Sequence, residues 1–461
     1  MMRKHLKKLL PLCLALSLAG CAATQTGTQI AASTATQDSL RAVVAAQTSQ
    51  RLADSINAAE TTLAAEAQRR RADSLAATLV PQLRKMKTMA TDSCPKSIVI
   101  SPDGATAYSI NLEGMSVYAY DVAAKTLKWR IKFFPTPAKG WDYDAGKEIS
   151  SFAEKPVEAA FTANGKYLWV SLHNGGNMVI IDTEWKTDWQ AQAMKPGSTM
   201  PAPTLKVKYY EGESDSAQVV MLKEIKVGKT PKVIAATPND SIVYVANWHS
   251  HSMSVVDTKT FEVLKEVKVN SIPRGIAFTP DGNTAYIAIM GLDSLCKMDA
   301  RTHTVLKSIK VGRTPRHVVC TRDGKTLFVS LNSPGDLVKF DVATETVSQT
   351  VHVGSNPRTL TLSPDERYVY VVQYKDNQMA VLDAATLKTV GYQPTGQSPV
   401  GVAVTPDGRE VWAVNYGSST IDVFGVEMVS QEILAAAQAA QTSAENMIKT
   451  PKPKSKRKKN R

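Results

Sequence analysis

Residues 271–291 read SIPRGIAFTPDGNTAYIAIMG, and residues 312–333 read GRTPRHVVCTRDGKTLFVSLNS, which is nearly the same pattern. In each stretch a proline precedes a short apolar run, and an Asp-Gly pair follows eight residues after the proline. Asp-Gly between two apolar runs is typical of a tight hairpin that joins two β-strands. The pattern therefore predicts a unit of β-structure that the chain repeats.

The repeat occurs seven times. Five consecutive prolines are 42 residues apart, and two earlier copies keep the same internal spacing but carry insertions of 19 and 33 residues. These landmark prolines are Pro95, Pro156, Pro231, Pro273, Pro315, Pro357 and Pro399. An aspartate stands 26 residues after the proline in six copies, and Gly425 replaces it in the last. A fixed period of this length predicts a repeat architecture.

Each copy is interpreted as four strands, which in the first quoted copy are 276–279, 285–290, 295–298 and 305–311. Four strands in 42 residues match a β-propeller blade, and a closed ring of seven blades removes exposed sheet edges. The last copy stops after its third strand, 419–424, and residues 85–94 are the candidate for the missing strand. The predicted fold is an all-β seven-bladed β-propeller, preceded by an N-terminal α-helical segment and followed by a short helix and a disordered basic tail.

The second strands carry a family resemblance. Residues 244–247 read YVAN and residues 411–415 read VWAVN, which resembles the strand that names the YVTN family of propellers. The resemblance covers about residues 95–426 and implies a seven-bladed propeller of a kind found on bacterial and archaeal surfaces. Related seven-bladed rings include enzymes, so the resemblance is specific for fold and weak for activity.

The N-terminus resembles that of bacterial lipoproteins. A basic start precedes an apolar run over residues 9–18, which ends in Leu18-Ala19-Gly20-Cys21. This sequence is similar to a lipobox, in which the cysteine becomes the first mature residue and carries the lipid. The residue after Cys21 is Ala22, whereas an aspartate at this position often retains such proteins at the inner membrane. The resemblance implies a protein lipid-anchored at Cys21 in the bacterial cell envelope, facing the periplasm or the surface, and favours the outer membrane.

Charge and composition divide the rest of the chain. The leader and the tail contain twelve of the thirteen excess positive charges, so the body is nearly neutral, which argues against nucleic-acid binding. The predicted segments are a signal peptide (1–20), a flexible tether (21–37), an Ala-rich helical neck (38–90), the propeller (91–426), a short helix (427–448) and a disordered basic tail (449–461).

The neck and the tail suggest partners. Leu52, Ile56, Ala59 and Leu63 form a helical stripe, which is interpreted as a spacer, with a coiled coil or a partner-binding helix as alternatives. The eight cations of the tail favour contact with anionic envelope polymers, lipids or an acidic protein, although a solvated tail without a partner is an alternative.

Two rings of side chains are expected at one face of the central channel. The residue after the landmark proline is basic in five copies, and the residue 17 after it is varied and often aromatic. Guanidinium groups bind carboxylates or phosphates and aromatic faces stack on sugars, so the mouth suits an anionic or carbohydrate ligand. The alternative is a structural ring neutralised by turn aspartates or solvent. The predicted ligand-binding residues are Lys96, Lys232, Arg274, Arg316, Arg358, His173, Trp248, Tyr374 and Tyr416.

The insertions are candidates for partner contacts. The first follows the fourth strand of its copy and is expected on the channel-mouth side, whereas the second interrupts its copy between the third and fourth strands. The aromatic residues concentrated there are Trp141, Tyr143, Trp185 and Trp189. Aromatic residues on inserted loops often contact a partner, which here is a protein, a glycan or the cell wall.

The sequence favours binding over catalysis. It contains no pattern for a catalytic triad, a phosphate loop or haem attachment, and Cys94, Cys296 and Cys320 lack metal or disulfide spacing. We therefore predict no catalytic residue, cofactor or metal, with a zinc or copper site at His173, His249 and His251 as an alternative. The predicted function is a rigid interaction platform. The rival is an extracytoplasmic lactonase-like or quinoprotein-like enzyme with its active site at the channel mouth.

Overall fold

The computed structural model describes residues 30–142, 145–184 and 204–433, and the chain divides into two units that meet between Leu79 and Val80. The first unit contains the helix α1 (Ile30–Thr78). It begins inside the predicted tether and ends before the predicted end of the neck at residue 90. Pro81 explains the early end, because proline and the residue before it are unfavourable within a helix. No helix in the described part of the chain is long and apolar enough to cross a membrane.

The second unit is the seven-bladed propeller, and every landmark proline begins the innermost strand of a blade. Blade 1 contains β2 (Pro95–Ile100), β3 (Thr106–Asn111), β4 (Ser116–Asp121) and β5 (Thr126–Phe133), and blade 2 contains β8 (Pro156–Thr162), β9 (Tyr167–Leu172), β10 (Asn177–Asp182) and β12 (Gln218–Lys226). Blade 3 contains β13 (Pro231–Ala236), β14 (Ile242–Asn247), β15 (Ser252–Asp257) and β16 (Val263–Lys268), and blade 4 contains β17 (Pro273–Phe278), β18 (Thr284–Ile289), β19 (Ser294–Asp299) and β20 (Thr304–Lys310), with a 3₁₀ turn at Met290–Leu292.

The last three blades follow the same order. Blade 5 contains β21 (Pro315–Cys320), β22 (Thr326–Leu331), β23 (Asp336–Asp341) and β24 (Thr346–His352), and blade 6 contains β25 (Pro357–Leu362), β26 (Tyr368–Gln373), β27 (Gln378–Asp383) and β28 (Thr389–Pro394). Blade 7 contains β29 (Pro399–Val404), β30 (Glu410–Asn415), β31 (Thr420–Ser430) and β1 (Leu79–Ala90). The predicted fold class is confirmed.

The ring closes through β1, the most N-terminal strand, which pairs with β31 as the outer strand of blade 7. The predicted donor 85–94 overlaps this strand but is displaced, because the landmark Pro95 already starts blade 1. Thr88 Oγ1 donates to Asp422 Oδ1 over 2.5 Å, and Lys85 Nζ lies 3.2 Å from the same carboxylate, which is almost fully buried. The propeller therefore extends beyond the predicted bounds 91–426 on both sides.

The two insertions build extra strands. The first forms a hairpin of β6 (Pro137–Asp142) and β7 (Lys147–Phe152). The second contributes β11 (Leu205–Glu211), which pairs with both β5 and β12 and so joins the outer strands of blades 1 and 2 into one nine-stranded sheet. It lies between the third and fourth strands of blade 2, as predicted. Tyr143, Trp185 and Trp189 lie outside the described residues.

The hydrophobic core consists of seven clusters, one at each interface between neighbouring blades. At the junction of the first and last blades, Ile98 and Tyr120 of blade 1 pack with Trp412 and Val423 of blade 7, and Met89 of β1 joins them. A blade exposes apolar side chains on both faces of its sheet, so each blade is stabilised only by its two neighbours.

The landmark aspartates build turns. Asp281 Oδ1 accepts hydrogen bonds from Thr279 Oγ1 (2.6 Å) and from the backbone N–H of Asn283 (3.0 Å), and Gly282 takes a φ of +70°. These hydrogen bonds, above all the one from Thr279, hold the pKa of Asp281 below its ordinary value. Asp257, at the third landmark, accepts from the N–H groups of Lys259 and Thr260, both at 2.8 Å. These carboxylates are therefore already occupied and do not neutralise the basic ring.

The ends of the chain are only partly described. β31 continues to Ser430, so the predicted helix 427–448 begins as strand, and only residues 431–433 of it are helical within the described part. The third strand of blade 7, β31, continues beyond residue 426 because it pairs with β1. The signal peptide, Cys21, the rest of the predicted helix and the basic tail lie outside the described residues.

Candidate functional site

The predicted basic ring surrounds the central channel. The seven inner strands contact one another around the ring, and the five basic residues occupy the second position of their strands. Lys232, Arg274 and Arg316 are buried, whereas Lys96 and Arg358 are half-buried. They are close enough to affect one another: burial, followed by the charges of Arg316, Arg358 and Arg274, lowers the pKa of Lys96 to about 7. The two remaining copies place Val157 and Val400 here.

Three of these cations have no hydrogen-bond acceptor among the described residues. Arg316 is only 9% exposed, yet its guanidinium group makes no hydrogen bond or ion pair with any described residue. The buried Nε of Arg358 has no hydrogen-bond partner in the described part of the chain, and the guanidinium carbon of Arg358 lies 4.4 Å from the ring centre of Tyr374. Lys96 Nζ lies 4.2 Å from the ring centre of Tyr416. A buried donor without an acceptor, such as Arg358 Nε, is costly, and the neighbouring positive charges repel one another, so this part of the channel is suited to an anion.

Lys232 and His173 form a hydrogen-bonded pair beside this group. Asn174 donates from Nδ2 to Ser151 Oγ (3.0 Å) and to the carbonyl of Phe152 (2.9 Å), so its Oδ1 faces His173 Nδ1 at 2.7 Å. His173 Nδ1 must therefore carry the proton, and Nε2 accepts from Lys232 Nζ over 2.5 Å. Burial, and then Lys232, hold the pKa of His173 well below its ordinary value, which agrees with a neutral ring.

Glu158 is the acidic residue that sequence reasoning missed. It lies two residues after Pro156, and its Oε1 is 3.8 Å from Arg274 Nη2. Burial raises its pKa, although Arg274 opposes the shift. His317 occupies the same position in blade 5, and burial lowers its pKa to about 4. A comparison of the second residue after each landmark proline would have identified Glu158.

A cavity of about 340 Å³ opens at the mouth. We call it the mouth cavity; it is bordered by Lys96, His173, Lys232 and Tyr416 of the predicted set, and by the β6–β7 hairpin through Trp141 and Phe152. The first insertion is therefore on the channel-mouth side, as predicted. Its wall also contains Lys155, which is paired with Glu113. Of the basic ring, Lys96 and Lys232 border this cavity, so a ligand in it reaches the ring at these two residues.

The other predicted aromatic residues also belong to the mouth. Trp248 lies beside two cations, with its ring centre 5.2 Å from Lys232 Nζ and 5.6 Å from the guanidinium carbon of Arg274. The ring centres of Tyr374 and Tyr416 are 6.5 Å apart. All nine predicted ligand-binding residues thus surround the channel mouth, and their role in binding a ligand stays a prediction.

The alternative metal site finds no support in the described part of the chain, where no group of three His, Cys, Asp or Glu side chains could hold an ion. His173 uses Nε2 for Lys232, and the Nδ1 of His249 lies 2.9 Å from Thr230 Oγ1. Cys94, Cys296 and Cys320 are free thiols. Burial raises the pKa of Cys296 and of Cys320 to about 11, so neither thiol is activated.

Comparison with known proteins supports a β-propeller family. A family model for YNCE-like β-propellers matches residues 214–371, and one for the seven-bladed lactonase β-propeller matches residues 336–459. Each match covers less than half of the chain. A search of curated protein sequences found no match.

Solved structures resemble the chain in fold. Hydrazine synthase of Kuenenia stuttgartiensis matches with a TM-score of 0.56 and 21% identity, over 72% of this chain and 96% of that chain. Because 1546 chains of solved structures match, the likeness identifies the propeller and carries no information about activity.

Proposed function

We propose that this chain is an envelope-anchored binding protein whose propeller binds a multivalent anion at the channel mouth. The supporting observation is the group formed by Lys96, Arg316 and Arg358, three cations that lack acceptors among the described residues. An anion with carboxylate or phosphate groups would supply the missing acceptors, and guanidinium groups bind such oxygens in pairs. The rigid ring holds the cations in place before the ligand arrives, which limits the entropy lost on binding.

The proposed anchor is a lipid on Cys21. The lipobox-like sequence that ends in Cys21 supports this placement, with the helical neck as a spacer. The proposed location is the outer membrane of a bacterial envelope, where the ligand is a protein, a glycan or cell-wall polymer. The basic tail would add contacts to anionic polymers or lipids.

A lactonase-like enzyme is the second candidate, and the shifted pKa values of two buried side chains favour it. Burial raises the pKa of Glu158, while burial and the neighbouring Arg274 hold that of Lys232 well below its ordinary value. Buried groups with shifted pKa values occur often at catalytic sites. Turnover of a lactone that Glu158→Gln abolishes, with anion binding retained, would establish catalysis in place of simple binding.

The binding proposal predicts a large loss of affinity when the two arginines are removed. Each charged hydrogen bond contributes about 1.5–3 kcal/mol, so the double variant Arg316→Met/Arg358→Met should bind citrate at least about 100-fold more weakly. Isothermal titration of the full-length chain measures this. Arg301→Met is the matched control, because Arg301 is 69% exposed on an outer turn and should leave affinity unchanged. Equal citrate affinity in the native and double-variant proteins would refute the proposal.

Anion affinity should also fall as the pH rises through about 7. Lys96 has its pKa lowered to about 7, so it is charged below that pH and increasingly neutral above it. Sulfate stays doubly charged over this range, so the loss of one protein cation should weaken sulfate binding about tenfold between pH 6 and pH 8.5. In Lys96→Met the sulfate affinity should be lower at pH 6 and nearly flat over this range. A native protein whose sulfate affinity does not change with pH would show that Lys96 does not contact the anion.

A further inference from the structure

A second cavity lies beside the mouth cavity. It has a volume of about 350 Å³ and lies between the β6–β7 hairpin and the loops of blades 2 and 3. We call it the side groove; the lining residues used below are Lys139, Trp141, Glu148, Lys226, Lys229 and His249. Its size is similar to that of the mouth cavity, so each can hold a ligand unit of about the same size.

The two cavities share one wall. Gly140, Trp141 and Asn174 border both of them. Asn174 fixes this wall through its hydrogen bonds to β7, and a Cβ on Gly140 would lie only 2.8 Å from Ser151 Cβ, so the hairpin can approach this closely only with glycine there. A ligand that leaves the mouth cavity on this side therefore reaches the side groove past the indole of Trp141.

Trp141 presents a surface suited to stacking. Its side chain is 37% exposed, and its ring contacts His249 edge-on, with centres 5.4 Å apart and an interplanar angle of 67°. This contact orients the indole, and the residue as a whole stays accessible to a ligand. Exposed, immobilised aromatic faces bind flat apolar surfaces such as those of sugar rings.

The side groove is also basic, with one acid. Lys139 and Lys229 are exposed and make no ion pair with any residue in the described ranges, and Lys226 Nζ donates to the carbonyl of Gly175 over 2.7 Å. Glu148 is exposed, and its side chain makes no hydrogen bond or ion pair with any described residue. A ligand matching this groove needs negative charge for the lysines and hydroxyl donors for the carboxylate, since a carboxylate only accepts hydrogen bonds.

We infer that the ligand is an acidic oligosaccharide that spans the mouth cavity and the side groove. One acidic unit lies in the mouth cavity with its carboxylate toward Lys96, which borders the cavity and feels the charges of Arg316 and Arg358. The next unit stacks on Trp141 with its carboxylate toward Lys139 and Lys229 and its hydroxyls toward Glu148. Sugar hydroxyls supply the donors that the side chains of an acidic peptide lack. The inference rests on the proposed anion site, and it adds the chemical class and the minimum length of the ligand.

The test is the dependence of affinity on chain length. Full-length protein is titrated with galacturonate as monomer, dimer and tetramer, and the tetramer should bind at least 30-fold more tightly than the monomer. The Lys139→Met/Lys229→Met variant, altered only in the side groove, should keep the affinity for the monomer and reduce the tetramer-to-monomer ratio below about 3-fold. Trp141→Ala should reduce this ratio as well. Tyr392→Ala, which removes an aromatic side chain 51% exposed on an outer strand, should leave it unchanged.

The outcomes separate this inference from the proposed function. If citrate and the monomer bind but longer galacturonate chains bind no more tightly, the ligand is not an oligosaccharide that spans both cavities, and the proposed anion site is still supported. An equal gain with oligoglutamate of the same length would identify an acidic peptide and overturn the inference as well. Failure of every anion to bind would remove the anion site, and the inference would fall with it.

Discussion

Deletion of residues 1–90 should abolish cooperative folding of the propeller, whereas deletion of residues 1–78 should leave its urea midpoint unchanged. The two truncations differ only by β1, which closes blade 7. Its loss exposes the edge of β31 and removes the buried side chains of Val80 and Met89. Burial of two such side chains and the strand hydrogen bonds together contribute about 5 kcal/mol or more, a large fraction of the stability of a domain.

The buried carboxylate of Asp422 increases the loss of stability that follows deletion of β1. This carboxylate is 1% exposed, and the longer deletion removes its hydrogen bond from Thr88 and its ion pair with Lys85. The hydrogen bonds that stay come from Asn415 Nδ2 (3.0 Å) and from the backbone N–H of Gly396 (2.8 Å). Urea unfolding followed by circular dichroism measures both truncations against the full chain. A longer deletion with an unchanged midpoint would mean that the ring does not depend on its N-terminal strand.

Arg316→Met should stabilise the ligand-free protein while it weakens anion binding. Arg316 is buried beside other cations and lacks an acceptor among the described residues, so its charge is unfavourable in the free protein. Burial, followed by the charge of Arg358, lowers its pKa accordingly. Replacement by an apolar side chain of similar length should raise the free energy of unfolding by about 1–3 kcal/mol. Citrate should then stabilise the variant less than it stabilises the native protein, by about 1.5–3 kcal/mol at saturating citrate.

Urea unfolding with and without citrate measures both effects. Arg301→Met is again the control, and because its ion pair with Asp299 (3.1 Å) lies at the surface, it should change stability by less than about 0.5 kcal/mol. Destabilisation by Arg316→Met of more than about 1 kcal/mol, with citrate stabilisation retained, would show that Arg316 has a structural role and is not part of a ligand site.

The repeat made the blades predictable, because each landmark has a local physical cause. The Asp281-Gly282 turn and its copies set the hairpins, and the apolar runs set the strands, so all seven inner strands begin at the predicted prolines. The basic ring followed from the same register. These features depend on contacts within 42 residues, which a sequence pattern records.

Features that depend on distant parts of the chain were harder to predict. Residues 79–90 form a strand because blade 7 needs an edge partner. The local sequence predicted a helical neck up to residue 90, and the candidate donor strand was placed too late, at residues 85–94. The placement of β11 between blades 1 and 2 likewise depends on two outer strands far apart in sequence. Glu158 was missed because it interrupts the repeat in a single copy. The missing acceptors of Arg316 and Arg358 could be recognised only from the packed channel.

Crystals soaked in selenate test most directly whether the channel binds an anion, because selenium can be located by its anomalous scattering. We predict an anomalous peak between Lys96, Arg316 and Arg358, with oxygens at hydrogen-bond distance from both guanidinium groups. This peak should be absent from crystals of Arg316→Met/Arg358→Met. A channel without selenium in the native crystals, with peaks only at exposed lysines, would show that these cations do not form an anion site.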